Sequence, residues 1–104
     1  MTGTHTCTYS LASIQSAIRR GSYWISRTAS QGAAELDLDE EDVKECVLGL
    51  RTADFYKTMP SEKRPGLFQD VYRCRHAGLP VYTKLQLGRT GEGVVISFKR
   101  DEGA

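Results

Sequence analysis

Five side chains with donor chemistry, Lys57, Gln69, Arg73, Tyr82 and Lys99, occupy outward positions of four alternating runs, DFYKTM, LFQDVYRCR, VYTKLQL and VVISFK. Lys84 belongs to the same outward set as Tyr82 and is a further candidate for holding substrate. Cations, a phenol and an amide, without histidine or paired carboxylates, suit negative charge developing on a phosphate. RNA carries its own nucleophile, the 2′-hydroxyl. A protein that cleaves it therefore needs only a base, a proton donor and positive charge around the pentacoordinate phosphorus. Lys57, Arg73 and Lys99 supply charge, Tyr82 a proton or hydrogen bond, and Gln69 orientation of the sugar or a base edge. Lys57 as base would require a lowered pKa, which neighbouring cations and partial burial can produce, and the residue types leave the identity of the base open. With no acidic constellation on this face, no metal or other cofactor is expected there. The plain readings stand beside these: a strand lysine also guards a sheet edge, and Tyr82 also packs across strands.

The runs that carry these residues are separated by PSEKRPG, HAGLP and GRTGEG, each short and containing Gly or Pro, so an antiparallel meander is the economical topology. Burying one face fixes the register. Val94, Ile96 and Phe98 are expected inside, with Val95, Ser97 and Lys99 outside; Val81, Thr83, Leu85 and Leu87 inside, with Tyr82, Lys84 and Gln86 outside. Folding the hairpins symmetrically sets Tyr82 opposite both Lys99 and Arg73, and Lys57 beside Gln69. Asp70 falls on the inner face, where its carboxylate calls for backbone or Arg partners.

Upstream, the period is helical. Ser10 is the expected N-cap of a helix over 10–20 that carries Leu11, Ile14 and Ile18 on one face and stops at Gly21. Tyr23 to Arg27 reads as a short strand whose aromatics, Tyr23 and Trp24, are expected in the core, and a brief helical turn weakened by Gly32 follows over Ser30 to Leu36. Asp39 opens a further helix with Val43, Cys46, Val47 and Leu50 on one face. The DEGA tail is expected to fray and His76 to be exposed in a turn. The fold class is thus α+β, N-terminal helices packed on an antiparallel sheet, in one domain over 1–104.

The formal charge of +1 hides an asymmetry. Residues 1–50 hold four Lys and Arg against seven acids, net −3; residues 51–104 hold ten against six, net +4. The basic half is the half with the donor strands, as expected where one face meets phosphates. Three cysteines, Cys7, Cys46 and Cys74, form no CxxC pair and no closed disulfide set. His5 and Cys7 make an isolated HxC, short of a zinc motif, and Cys46 and Cys74 fall on apolar faces as small core residues. No apolar run approaches a membrane span and the N-terminus lacks a signal-peptide pattern, so the cytoplasm is the expected location.

DFYKTM, QDVYR, VYTK and VVISFK, in that order behind HT, SLASIQSAIRRG, AAELDLDEEDV and VLGL, resemble the MqsR family of bacterial toxins, of the RelE-like fold group. The resemblance covers nearly the whole chain. It implies a ribosome-independent messenger-RNA endoribonuclease that favours short GC-containing triplets, acts on single-stranded mRNA, and is held inactive by a cognate antitoxin with a DNA-binding domain. It places the family's functional residues on Lys57, Gln69, Tyr82 and Lys99, with Arg73 on the same surface. Phe68, where tryptophan is frequent, Cys74, where proline is familiar, and the loop Ser61 to Gly66 depart from the family pattern. The alternative from another class is a noncatalytic RNA- or protein-binding module on the same fold.

Overall fold

A computed structural model describes residues 6–103; His5 of the HxC pair lies outside them. The elements run α1 (Leu11–Arg19), β1 (Tyr23–Ile25), α2 (Arg27–Glu35), α3 (Glu40–Leu48), a 3₁₀ turn (Thr52–Asp54), β2 (Phe55–Pro60), β3 (Phe68–His76), β4 (Leu79–Leu87) and β5 (Gly93–Arg100). The meander β2–β5 is antiparallel, as the short loops require. β1 then adds to the free edge of β5 in parallel, giving the order β1-β5-β4-β3-β2 and a mixed sheet. Three helices cover one face of it.

Each helix begins where a side chain satisfies its first amides. Ser10 Oγ accepts from Ser13 N, Ser26 Oγ from Ala29 N, and Asp39 and Asp42 form a reciprocal capping box. The other end of α3 is closed from α1: Gln15 Nε2 donates to the carbonyls of Val47, Leu48 and Leu50, groups that otherwise lack intrahelical partners. α2 is a full helix rather than a brief turn. Gly32 is what lets it lie on β5, since a Cβ there would run into the carbonyl oxygen of Phe98.

The core gathers Leu11, Ile14, Ile18, Val43, Val47, Tyr72, Val81, Leu85, Val95 and Phe98 between helices and sheet. Val95 is there instead of Ile96 because β5 carries a bulge: Lys84 pairs with Ser97 but Leu85 with Val95, leaving Ile96 as the extra residue. Tyr23 packs against the core as expected, whereas Trp24, on the opposite side of β1, is 52% exposed. Asp70 is fully buried on the helix side of β3 and accepts from the backbone amides of Thr8 and Tyr9. It clamps the N-terminal segment through backbone donors. Cys46 and Cys74 are core thiols with sulfurs 3.4 Å apart; the hydrogen bond with Cys74, together with burial, pushes the Cys46 thiol up, so it stays protonated. No helix among the described residues is long and apolar enough to cross a membrane.

Candidate active site on the open face of the sheet

The face of the sheet away from the helices carries the donor residues in two rows. In one, Arg73 of β3, Tyr82 of β4 and Lys99 of β5 are direct cross-strand neighbours, as the hairpin symmetry requires. In the other, Lys57 of β2, Val71 of β3, Lys84 of β4 and Ser97 of β5 lie side by side. Val71, between the two lysines, is fully buried beneath its neighbours. With strands about 4.8 Å apart, the backbones of Lys57 and Lys84 are about 10 Å apart, close enough for both side chains to reach one sugar-phosphate unit lying over the face.

Lys57 is therefore opposite Val71, not beside Gln69, whose partner is Met59. The shift comes from a bulge in β2. Phe55 pairs with Tyr72 and Lys57 with Val71, so Tyr56 is the unpaired extra residue. The bulge also resolves a conflict in the sequence: Phe55 packs its ring on Tyr72 in the core while Lys57, two residues on, faces outward. A regular strand would put both on one face.

Tyr56 is the site residue that the alternation missed. Its ring receives the Lys57 ammonium at 5.4 Å and the Arg73 guanidinium at 4.8 Å, and meets the Tyr82 ring edge-on at 6.5 Å. Lys99 Nζ in turn lies 5.2 Å from the Tyr82 ring centre. Two phenols thus bridge three cations, and the ring contacts hold the ammonium groups on the face rather than letting them sweep through solvent. No described residue hydrogen-bonds the Tyr82 hydroxyl, and none hydrogen-bonds the side-chain amide of Gln69, which is only 9% exposed.

One acid borders this set. Asp101 Oδ2 accepts from Arg73 Nε at 2.7 Å and Asp101 Oδ1 from Gly103 N. The hydrogen bond from Arg73, with help from Gly103, holds the Asp101 carboxyl below the usual carboxylate range, and the same bond raises Arg73. The start of the DEGA tail is thus fastened, with Asp101 8% exposed, and it cancels one of the four cations. Free positive charge is left on Lys57, Lys84 and Lys99. His76 differs from expectation as well: it ends β3 half-buried, facing Asp42 on the helix side of the sheet.

This face can neutralise a phosphate from both sides and offer it a phenolic proton, and it holds no cluster of metal-ligating groups among the described residues. The family described as "Motility quorum-sensing regulator, toxin of MqsA" matches residues 6–100. Among curated proteins, the mRNA interferase toxin MqsR of Escherichia coli (strain K12) is 32% identical over 89 residues, 86% of this chain and 89% of that protein.

Proposed function

The chain belongs to the MqsR toxin family, and from that premise we propose that it is a toxin acting as a messenger-RNA endoribonuclease, with residues 1–104 forming a single catalytic domain. The observation that carries the chemistry is the Arg73–Tyr82–Lys99 row set beside the row that holds Lys57 and Lys84. In the proposed reaction the 2′-hydroxyl of single-stranded RNA loses its proton to a base and attacks the adjacent phosphorus. Lys57 and Lys99 neutralise the phosphorane oxygens, and Arg73, its charge balanced by Asp101, helps bind the phosphate through its remaining guanidinium N–H groups. The Tyr82 hydroxyl, without a hydrogen-bond partner among the described residues, hydrogen-bonds a phosphate oxygen or supplies the proton to the departing 5′-oxygen. Gln69 orients the sugar from the wall of the site, and Lys84 binds the neighbouring phosphate. The bond to the 5′-oxygen breaks, leaving a 2′,3′-cyclic phosphate and a 5′-hydroxyl.

Incubating the purified protein with a defined messenger in EDTA and mapping both ends tests this reading. Cleavage in EDTA with those termini is expected, and DNA should be spared. Activity abolished by EDTA and restored by magnesium would overturn it. The family description, a toxin of MqsA, supports a cognate antitoxin as partner; the proposal further gives that antitoxin a DNA-binding domain that represses a shared operon and has it neutralise the protein in the cytoplasm. Co-expression with the neighbouring gene should relieve growth arrest. Arrest that persists while both proteins accumulate would show that gene not to encode the antitoxin.

A further inference from the structure

We propose that Asp42, Glu45 and His76 form a binding site for a divalent transition metal, with zinc the best match, joining α3 to the end of β3. Their three ligand atoms all lie within 4.8 Å of one another. Asp42 and Glu45 are one turn apart on the same face of α3, and His76 comes from a different element, with Nε2 3.6 Å from Asp42 Oδ1. Zinc bonds of about 2.0–2.2 Å place tetrahedral ligands about 3.5 Å apart. The Asp42–His76 pair already has that spacing, and the exposed Glu45 side chain needs only a rotamer change to complete it.

Asp42 is held as a ligand should be. Its other oxygen, Oδ2, accepts from the backbone amide of Asp39 at 3.0 Å, which turns Oδ1 toward His76, the kind of outer partner that orients metal-binding carboxylates. No described cation pairs with Glu45, so without a metal two carboxylates share one imidazole. Glu45 and His76 open onto a cleft of about 760 Å³, where water can take the fourth position. An imidazole with two carboxylates suits zinc better than magnesium or calcium, which prefer oxygen ligands alone.

His76 is on the helix side of β3, with Tyr72 and Cys74, while Arg73 faces the opposite side. The ligands are therefore not those of the RNA-facing rows, although Tyr56 and Arg73 line the far part of the same cleft, and the inference does not rest on the endoribonuclease reading. A bound ion would fasten the last turn of β3 to α3.

Zinc titration of the full chain against a chromophoric chelator, with melting temperature in parallel, tests the proposal. Saturable one-to-one binding is expected, with a rise in melting temperature. Glu45→Gln, at an exposed position, and His76→Ala should each weaken binding by at least about tenfold, while Cys7→Ser binds as the wild type does. Cobalt should give tetrahedral visible bands without a thiolate charge-transfer band. No saturable binding, binding unchanged in Glu45→Gln and His76→Ala, loss in Cys7→Ser, or a sulfur-to-cobalt band would each overturn the assignment.

Discussion

Tyr82 stands between Arg73 on one neighbouring strand and Lys99 on the other, with its ring already engaged by Tyr56 and Lys99. Tyr82→Phe keeps those ring contacts and removes only the hydroxyl. If the hydroxyl acts in the transition state, turnover falls by about 10²-fold or more with RNA binding and melting temperature little changed; near-wild-type cleavage would make it a packing residue. Lys57→Ala and Lys99→Ala should each lower cleavage by at least about tenfold at little cost in stability, since Lys99 is exposed, Lys57 is half-buried, neither forms an ion pair with a described residue, and surface charges contribute typically under about 1 kcal/mol. Asp101 gives a pH-dependent contrast. Its folded-state pKa is depressed, mainly by the Arg73 hydrogen bond, so its stabilisation is present above the unfolded value of about 3.9 and is lost as pH falls through the folded one. Urea unfolding should therefore find Asp101→Asn less stable than wild type at pH 7, with the gap narrowing at pH 3. A gap that stays constant would remove the ion pair from the stability of this edge.

At the scale of elements, what sequence could supply depended on whether the strands stayed regular. Arg73 and Tyr82 were legible as neighbours because the turn between their strands is short and the alternation from it is unbroken, whereas Tyr82 meets Lys99 only beyond the bulge at Ile96, whose one-residue shift offsets a ladder that closes at Leu87 and Gly93. Two bulges defeated the same reasoning elsewhere. At Ile96 the core position passes to Val95, and at Tyr56 two aromatic-cation contacts appear that parity would have hidden. The second was detectable, because Phe55 and Lys57 cannot share a face if one is core and the other is site. Gly32 shows a different limit: propensity alone reads it as a weak helix position, whereas tertiary contact with the Phe98 carbonyl is the reason for it. Gly32→Ala should accordingly destabilise the protein, by about 1–3 kcal/mol from overpacking, although alanine is the better helix former. A chemical melt showing equal or greater stability would mean that α2 can move off β5 freely.

For the molecule as a whole, the charge division seen along the chain becomes a division in space. The acid-rich start of α3 lies in the helix layer, and the lysines of β2, β4 and β5 face away from it. Of the four cations in the two rows, Arg73 is already paired, leaving three to displace counterions from single-stranded RNA. The plot of log affinity against log salt should then have a slope of about −2, so that raising salt from about 50 to about 200 mM weakens binding roughly twentyfold. A flat salt dependence would mean that the rows do not meet the phosphates.

The chain's only tryptophan, Trp24, projects from β1 on this same side of the sheet, on the row of Val94 and Gln86, with half its surface in water. Its indole is an intrinsic fluorophore placed beside the proposed substrate path but outside the core. Unfolding exposes only the remaining half, so the emission maximum should shift to the red less than that of a core tryptophan across a denaturation that circular dichroism records in full. RNA arriving over the open face should quench it without that shift, giving an optical signal for occupancy distinguishable from the folding transition.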